Sequence, residues 1–399
     1  MKVLGIIAEY NPMHTGHIYH ISKAKEITGC DTVIAIMSGS FTQQGNIAII
    51  NKFERAKQAV QNGVDLVIEI PSAFASSDAG NFAYKSVSIL NDLNVDAICF
   101  GAETDNIERL KLISETLIYK DKEIWNEIKN ELKKGISFAK ARNNSLNKFL
   151  NEDDINIILS PNNILALEYL KTLKVLNSNI IPFAIYRESN FNSHILENCY
   201  TSSTSIRKAL ENKCNLNDIQ KYIPENVSKY LKNNKIIFNN DFFEILKYKI
   251  ISMNENDLKK INGVSEGIEN KLKKEICNSY SYDEFLFKIK SKRYELSRIK
   301  RILVNILLNI SKDDFNLLKE NNSNYAHILA FNHDKKDLLS HISNTSNIPV
   351  ISSLNNKTLS YLNKYQKLSL DIDIYASNIY SMLINQKINK DYTNFIWFV

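Results

Sequence analysis

Four short, uninterrupted runs of apolar residues constrain the fold most, because each has the length of a β-strand. They cover residues 3–8, 32–37, 66–70 and 97–100. Strands of this kind occur where helices cover both faces of a parallel sheet. Segments with helical amphipathic spacing, at 52–62 and 81–93, separate the runs. The alternation of strand and helix predicts a doubly wound α/β sheet in the first part of the chain.

The pattern changes along the chain. A long charged stretch at 106–134 is predicted to be helical and is followed by a polar segment near 142–154. Two apolar runs at 155–159 and 180–186 are predicted to be strands, with a helix starting near Pro161 between them. After about Pro224, helical patterns dominate, with candidates at 241–252, 267–279, 282–290 and 291–310. We therefore expect an α/β domain over 1–223 and a mainly helical domain over 224–399, with no detailed assignment for 311–399.

The amino-acid composition indicates which broad class of protein this chain belongs to. The 399 residues are 44% hydrophobic and 24% charged, which is typical of soluble proteins, and no apolar run is long enough to span a bilayer. The five cysteines are scattered without CxxC spacing, so we expect a reducing cytoplasm and neither disulfides nor a zinc site. Residues 1–100 hold 7 Lys and Arg against 9 Asp and Glu, so the excess positive charge lies in the remainder. That excess fits either nucleic-acid binding or simple solubility.

The first predicted strand leads directly into Asn11-Pro12, a turn-forming pair, and then into His14-Thr15-Gly16-His17. In open α/β sheets, ligands bind at the carboxyl ends of strands, where helix N-termini direct N–H groups at anions. His14 and His17 are three residues apart and would share one face of a helix. Two surface histidines would explain a bare HxxH equally well. The preceding strand and turn favour a phosphate-binding pair.

A second element, Thr201-Ser202-Ser203-Thr204-Ser205-Ile206-Arg207-Lys208, places hydroxyl groups where a helix is predicted to begin. Such a run is usually only a helix cap. Together with the histidine motif it also offers donors to a polyphosphate, and Arg207 adds a charged fork for phosphate oxygens.

Both elements resemble those of the HIGH-superfamily nucleotidyltransferases, which include phosphopantetheine adenylyltransferase and pantothenate synthetase. The chain is more similar still to the tRNA(Met) cytidine acetate ligase family of bacteria, from residue 1 to about 310. The similarity rests on these segments: Glu9-Tyr10-Asn11-Pro12, Met37-Ser38-Gly39, Asp65-Leu66-Val67-Ile68-Glu69-Ile70-Pro71, Phe100-Gly101-Ala102-Glu103, Ser160-Pro161-Asn162-Asn163-Ile164-Leu165, Thr204-Ser205-Ile206-Arg207-Lys208, Ser265-Glu266-Gly267-Ile268-Glu269 and Lys292-Arg293-Tyr294. The chain departs from the family pattern at Gln44, where an arginine is expected, and at Met13 and Thr15, where Phe and Asn are expected.

The resemblance implies a Rossmann-like HIGH-superfamily fold and a two-step reaction. Acetate attacks the α-phosphate of ATP, which releases pyrophosphate and forms acetyl-adenylate. The acetyl group then passes to the exocyclic amine of the wobble cytidine of elongator tRNA(Met). ATP is a substrate that brings Mg²⁺ with it, and we expect no metal ion held by the protein itself. We expect no membrane partner and no obligate protein partner.

The resemblance also implies the site residues. The catalytic residues are His14, His17 and Arg207. The expected ATP contacts are Ile7, Ala8, Glu9, Tyr10, Asn11, Pro12, Met13, His14, Thr15, Gly16, His17, Ile18, Tyr19, His20, Gly101, Asn162, Arg187, Ser203, Thr204 and Ser205. For Glu9, Asn11 and Lys23, a capping or surface role fits equally well.

Residues 290–301 contain six basic side chains against one acid. Apolar residues form one stripe of the predicted helix, and arginines fall off that stripe. This arrangement fits contact with a tRNA backbone, with Tyr294 available to stack on a base. The expected tRNA contacts are Lys292, Arg293, Tyr294, Arg298 and Arg301. A solvated helix face is the alternative.

Two other functions fit parts of the pattern. One is a HIGH-superfamily adenylyltransferase or ligase that acts on a small metabolite without RNA. The other is a non-catalytic RNA-binding protein that kept the fold, although the intact histidine motif and Arg207 argue against it.

Overall fold

A computed structural model describes residues 1–136, 138–187, 201–291, 294–393 and 397–398 of the chain. Its centre is an eight-stranded sheet in the order β5-β4-β1-β2-β3-β6-β7, in which β8 also pairs with β6. The strands are β1 Val3–Ala8, β2 Thr32–Ser38, β3 Leu66–Ile70, β4 Ala97–Ala102, β5 Ile181–Tyr186, β6 Ala326–Phe331, β7 Val350–Ile351 and β8 Trp397–Phe398. The predicted α/β fold class is confirmed.

Strand direction brings the loops of the α/β region to one edge. β1 pairs in parallel with β2 and β4, β2 pairs in parallel with β3, and β4 pairs in parallel with β5. Chain segments that follow these strands therefore meet at the same edge of the sheet. β6 pairs antiparallel with β3, so a strand from the C-terminal part of the chain extends the sheet. The division of the chain after residue 223 stays a prediction, and the sheet takes strands from both sides of it.

Helices surround the sheet. They are α1 Thr15–Thr28, α2 Lys52–Gln61, α3 Ser72–Ala75, α4 Ala79–Asp92, α5 Ile107–Tyr119, α6 Asp121–Leu132, α7 Phe138–Leu146, α8 Glu152–Leu159, α9 Pro161–Val175, α10 Ser203–Glu211, α11 Leu216–Ile219, α12 Glu225–Asn233, α13 Phe243–Ser252, α14 Glu255–Lys260, α15 Ile268–Ile276, α16 Tyr282–Ile289, α17 Leu296–Leu307, α18 Lys312–Glu320, α19 Lys336–Thr345, α20 Asn356–Tyr361, α21 Lys364–Leu383 and α22 Lys390–Thr393. In the ranges given above, no helix combines the length and the apolar character needed to cross a bilayer.

Burial on both faces explains why the strands are apolar throughout. Along β2, Val33 and Ala35 face a core that α1 and α2 cover, while Ile34 and Ile36 face a second, larger core. All seven residues of β2 are buried. Because neighbouring residues of a strand point to opposite faces, a sheet covered on both sides needs an apolar residue at every position.

The predicted strand at 155–159 is wrong, because these residues belong to helix α8. The side chain of Asn151 accepts the Asp154 N–H at 2.9 Å and caps the helix. Three acidic residues follow in the first turn, where they interact favourably with the helix dipole. Ile155 and Ile158 are buried at helical spacing. The helix cap and the acidic first turn therefore favour a helix here over the strand that the apolar run predicted.

Candidate active site

Two histidines at the start of helix α1 are in direct contact with each other. The rings of His14 and His17 stack with their centroids 3.8 Å apart and their planes inclined by 30°. Each ring accepts a main-chain hydrogen bond at Nδ1: the Gly16 N–H donates to His14 at 3.1 Å, and the His14 N–H donates to His17 at 3.2 Å. The pair forms a capping box in which histidines replace the usual Ser and Glu. The two residues therefore lie side by side at the carboxyl end of β1.

These hydrogen bonds fix where each ring carries its proton. A ring nitrogen that accepts an N–H has no proton, so neutral His14 and His17 carry theirs on Nε2. Burial, with smaller contributions from the charges of Arg187 and Arg207, lowers the pKa of His14 to about 3. Burial and the neighbouring His14 hold the pKa of His17 well below its ordinary value. At neutral pH both rings are uncharged and able to donate from Nε2.

The start of α10 is tied to the turn between β1 and α1. Arg207 donates from Nη1 to the Asn11 carbonyl at 2.6 Å and from Nη2 to the Thr204 hydroxyl at 3.1 Å. Ser203 donates from Oγ to the Pro12 carbonyl at 3.1 Å. The two predicted phosphate-handling elements therefore meet, although Arg207 lies 196 residues after Asn11.

Helix α10 directs its N-terminus at the same place. The hydroxyl of Ser202 caps the helix by accepting the Ser205 N–H at 3.1 Å. Ser203, Thr204 and Ser205 form the first turn. The first N–H groups of a helix lack intrahelical partners and carry the positive end of the helix dipole, which attracts anions.

Several buried polar atoms around this turn have no hydrogen-bond partner within the described part of the chain. They are Tyr10 OH, His14 Nε2, Thr15 Oγ1, His20 Nε2 and Thr201 Oγ1. Burial, with a smaller effect from Arg187, lowers the pKa of His20 to about 4, so this ring is also neutral near pH 7. Buried polar groups are normally hydrogen-bonded, so a polar ligand at this position would satisfy them.

The carboxyl ends of β4 and β5 supply a second group of side chains. Asn162 donates from Nδ2 to Glu103 Oε1 at 2.9 Å, and the other carboxylate oxygen of Glu103 is buried with no partner in the described ranges of the chain. Burial lowers the pKa of Arg187, and the charge of Glu103 opposes this effect. Among the described residues, a Cβ on Gly101 would have one neighbour within 4 Å, Arg187 Cδ at 3.7 Å. Our site prediction omitted Glu103, although it lies in a segment that carried the family resemblance.

Arg55 of α2 is fully buried and was also missed. It donates to the carbonyls of Glu9 at 2.6 Å, of Ile50 at 2.9 Å and of Gly39. The Glu9 carboxylate accepts the Gln43 N–H at 2.9 Å, and burial raises its pKa despite this hydrogen bond. Arg55 thus holds together the segments that follow β1 and β2. A single arginine in a charged amphipathic helix gives no sequence signal for such a role.

The predicted tRNA contacts have mixed outcomes. Lys292 and Arg293 lie outside the described residues. Tyr294 is 6% exposed; its hydroxyl donates to the Ser265 carbonyl at 2.5 Å, and the Arg298 guanidinium lies 4.5 Å from its ring centroid. This burial leaves little of the Tyr294 ring accessible to a base, and its contact with tRNA stays a prediction. Arg298 also donates to the Ser265 hydroxyl at 3.0 Å.

Helix α17 packs on the loop that follows β2. A Cβ on Gly45 would lie 2.5 Å from the Arg301 nitrogen and 2.6 Å from the Lys300 carbonyl carbon, so this position requires glycine. Lys300 donates from Nζ to Asn46 Oδ1 at 2.9 Å. Arg301 is half-buried, and its guanidinium has no hydrogen bond or ion pair with any residue that the structure describes. Gln44 lies in the same loop. The neighbouring Gln43 N–H donates to the Glu9 carboxylate, so this loop places α17 next to the candidate site.

A buried ion cluster borders this loop. Lys52 Nζ lies 2.8 Å from Glu69 Oε2 and 2.5 Å from Asp391 Oδ1, and His327 Nδ1 lies 2.9 Å from Glu69 Oε2. The ligand atoms of Glu69, His327 and Asp391 lie within 4.8 Å of one another. The Lys52 ammonium already supplies the positive charge there, so the cluster fits a structural ion pair better than a metal site.

Comparisons with a family model, with known sequences and with solved structures each match nearly the whole chain. The family model for HIGH Nucleotidyl Transferase matches residues 1–394. A tRNA(Met) cytidine acetate ligase of Clostridium novyi is 39% identical over 399 residues, which cover 98% of this chain and 97% of that protein. One from Clostridium perfringens is 41% identical over 404 residues, covering 98% of each. Crystal structures of Thermotoga maritima TmcAL, bound with alpha-thio ATP and in the apo form, match at TM-scores of 0.92 and 0.94, with 31% and 30% identity over 100% of each chain.

Proposed function

The chain belongs to the HIGH nucleotidyl transferase family and, within it, to the tRNA(Met) cytidine acetate ligases, and on that basis we propose that it uses ATP to activate acetate and acetylates a cytidine of tRNA(Met). The target is the wobble cytidine of the elongator tRNA, and the product is N4-acetylcytidine. Membership covers nearly the whole chain, so it supports both steps of the reaction. The cysteines among the described residues are free, which fits a reaction in the reducing cytoplasm.

One observation carries the proposal. His14 presents a buried Nε2 that has no partner among the residues the structure describes, beside the equally neutral His17, at the turn that Arg207 contacts. Two neutral N–H donors next to a guanidinium and a helix N-terminus suit a polyphosphate chain. A neutral donor binds phosphate without the cost of burying a further charge before the nucleotide binds.

ATP would lie along the carboxyl edge of the sheet. Ser203, Thr204 and Ser205, at the first turn of α10, together with Arg207, would hold the β- and γ-phosphates, which enter as the Mg²⁺ complex. Gly101 leaves room for the nucleoside beside β4. Asn162 and Arg187 would contact the nucleoside. Glu103 positions the Asn162 side chain through its hydrogen bond at 2.9 Å.

In the first step, an acetate oxygen attacks the α-phosphorus and the bond to the bridging oxygen of pyrophosphate breaks. Two anions approach each other, so the main requirement is stabilisation of charge on the phosphate oxygens. His14 and His17 donate from Nε2 to the α-phosphate as its charge grows. Arg207 and the α10 N-terminus stabilise the departing pyrophosphate. The products are acetyl-adenylate and pyrophosphate.

In the second step, the exocyclic N4 amine of cytidine attacks the acetyl carbonyl carbon. The bond between that carbon and the phosphate oxygen breaks, AMP leaves, and the amine loses one proton. The RNA must therefore bring its base to the same edge of the sheet. Helix α17 would hold the RNA backbone through Arg298 and Arg301, with Lys292 and Arg293 before the helix.

The decisive experiment supplies purified protein with MgATP, isotopically labelled acetate and a tRNA(Met) transcript, followed by mass spectrometry of the nucleosides. We expect labelled N4-acetylcytidine, and ATP–pyrophosphate exchange that depends on acetate. A matched transcript with uridine at the wobble position should stay unlabelled while the exchange continues. If the exchange requires a different carboxylic acid, or if labelled adenylate forms and the RNA is never acetylated, the proposal fails.

A further inference from the structure

Helix α16 carries one phenylalanine that lies almost entirely in solvent. Phe287 is 82% exposed, whereas Tyr282 and Phe285 of the same helix are completely buried. A single exposed apolar side chain is common on protein surfaces. The position of Phe287 near the candidate site, and the lysines close to it, indicate that this ring contacts a ligand.

The beginning of α16 is fixed against the candidate site. Tyr282 packs edge-on against Phe242 with ring centroids 5.2 Å apart, and Phe242 packs in the same way against Phe41 at 6.2 Å. Phe41 belongs to the loop that follows β2. The Tyr282 N–H donates to Asn240 Oδ1 at 2.9 Å and secures the first turn. The helix therefore starts at the edge of the sheet where the strands end.

Asp283, in the first turn of α16, is close enough to α10 and α17 to interact with charged residues of both. Burial lowers the pKa of Lys300 on α17 and raises that of Glu211 on α10, and in each case the charge of Asp283 is the next influence and raises the pKa. Phe287 follows Asp283 by four residues, so it lies on the same face about one turn, or 6 Å, farther along the axis. The exposed ring is thus one helical turn beyond a carboxylate that interacts with α10 and α17.

Two lysines lie on the C-terminal side of the ring, whereas Asp283 and Glu284 precede it on the helix. Lys290 is exposed three residues after Phe287, and Lys271 donates from Nζ to the Lys290 carbonyl at 3.0 Å. Residues 243–301 contain 14 Lys and Arg against 9 Asp and Glu. Exposed aromatic rings beside a basic surface are how proteins hold single-stranded nucleic acid, with bases stacked on the rings and phosphates near the cations.

We infer that the Phe287 ring stacks on an unpaired base of the RNA loop that carries the reacting cytidine, with Lys271 and Lys290 beside its phosphates. This inference rests on the proposed function and names the surface that receives the loop. A second copy of the chain is a poorer occupant, because a two-fold contact through this patch would place lysines against lysines.

The test uses the full-length protein and an RNA hairpin with the anticodon stem-loop sequence, in which 2-aminopurine is placed next to the wobble cytidine. Stacking quenches this fluorophore. Phe287→Ala should weaken hairpin binding by about 5- to 100-fold and abolish the quenching, because a stacked base is lost. Phe287→Trp should retain both. Tyr361→Ala, which removes a ring that is 69% exposed on α20, is the matched control and should bind like wild type.

Acetate-dependent ATP–pyrophosphate exchange, measured in parallel, should be the same in all these proteins because Phe287 does not touch the nucleotide. Hairpin binding and quenching that are unaltered in Phe287→Ala would refute the inference. It is equally refuted if that variant loses only a concentration-dependent dimer seen by light scattering. If wild type shows no acetate-dependent exchange while the ring effect on RNA persists, the proposed reaction fails and the stacking surface stands.

Discussion

His14 and His17 depend on each other for their orientation: the His14 N–H donates to His17 Nδ1 at 3.2 Å, and the two rings stack 3.8 Å apart. Replacing either histidine by alanine should reduce acetate-dependent ATP–pyrophosphate exchange by about 100- to 1000-fold, the usual loss when a transition-state donor is removed. Exchange within a few-fold of wild type in either variant would contradict the proposed role.

Two substitutions of His14 should differ in stability. His14 also caps α1, and loss of an N-cap acceptor costs about 1 kcal/mol. His14→Asn, which keeps a capping oxygen, should unfold in urea at nearly the wild-type concentration, whereas His14→Ala should unfold earlier. Equal midpoints for these two variants would show that the capping hydrogen bond contributes little.

Stability should fall in mild acid because three imidazoles resist protonation in the fold. Burial lowers the pKa of His14 to about 3 and that of His20 to about 4. Between pH 6.5 and about 4 the unfolded chain therefore binds protons that the folded chain does not, and stability is complete above pH 6.5 and decreases below it. Each imidazole contributes a slope of at most about 1.4 kcal/mol per pH unit.

His20→Gln isolates one of these contributions. Urea unfolding of wild type and variant at pH 7, 6 and 5 should show a shallower decrease for the variant, by about one proton. Carboxylates titrate in both proteins and cancel in the comparison. Identical slopes would mean that His20 is protonated in the folded protein.

Most of the sheet could be predicted from the sequence, and the reasons differ by strand. β1 to β4 are predictable because burial on both faces makes them almost continuously apolar. β5 lies at the edge of the sheet with Ile181 and Tyr186 exposed, and its run of apolar residues still predicts a strand. β6 has the same character as β1 to β4, with all six of its residues buried, but it pairs antiparallel with β3 from the far end of the chain. Nothing local distinguishes such an added strand from a buried helix segment. The capping signal of Asn151 was present in the sequence and would have corrected the assignment of 155–159.

The candidate site also contains some residues that could be predicted from the sequence and others that could not. His14, His17 and Arg207 belong to motifs with local spacing, so they could be singled out before the fold was known. Arg55 acts through main-chain carbonyls, which leave no pattern in the sequence. Glu103 lies in a segment that carried the family resemblance, but its contact with the Asn162 amide becomes visible only in the fold. The burial of Tyr294 depends on Ser265 and Arg298, and a helical wheel cannot represent a contact between separate segments.

Gly45 should be essential for the seating of α17. Alanine there needs a φ of 74° and would also place its Cβ 2.5 Å from the Arg301 nitrogen. Gly29→Ala is a matched control, since Gly29 has a φ of 64° and no atom within 4 Å of a Cβ. Both variants should lose about 1 kcal/mol from backbone strain. Gly45→Ala should lose clearly more, and tRNA acetylation should fall; equal destabilisation by urea would contradict the contact.

The buried ion pair between Lys52 and Asp391 should hold helix α22 against the rest of the protein. Burial lowers the pKa of Lys52, but the charges of Asp391 and Glu69 outweigh this and hold it above its ordinary value. Lys52→Met would leave these carboxylates buried without a counter-charge and should destabilise the protein by about 3–5 kcal/mol in chemical denaturation. Lys122→Met, at an exposed position of α6, should change stability little. Comparable effects from the two substitutions would contradict the role of the cluster.

Arg301 should bind an RNA phosphate, because its half-buried guanidinium makes no hydrogen bond or ion pair within the part of the chain that the structure describes. Burial lowers its pKa, and the charges of Asp78 and Glu295 only partly oppose this effect. A partly desolvated charge of this kind is stabilised when an anion reaches it. Arg301→Met should weaken tRNA binding and lower the slope of log Kd against log salt by about 0.7–0.9, the contribution of one phosphate contact. Arg109→Met removes the same charge from a side chain already paired with Asp154 at 2.8 Å, and its salt slope should equal that of wild type. A smaller slope in both variants would mean that net charge, rather than a phosphate contact at Arg301, accounts for the effect.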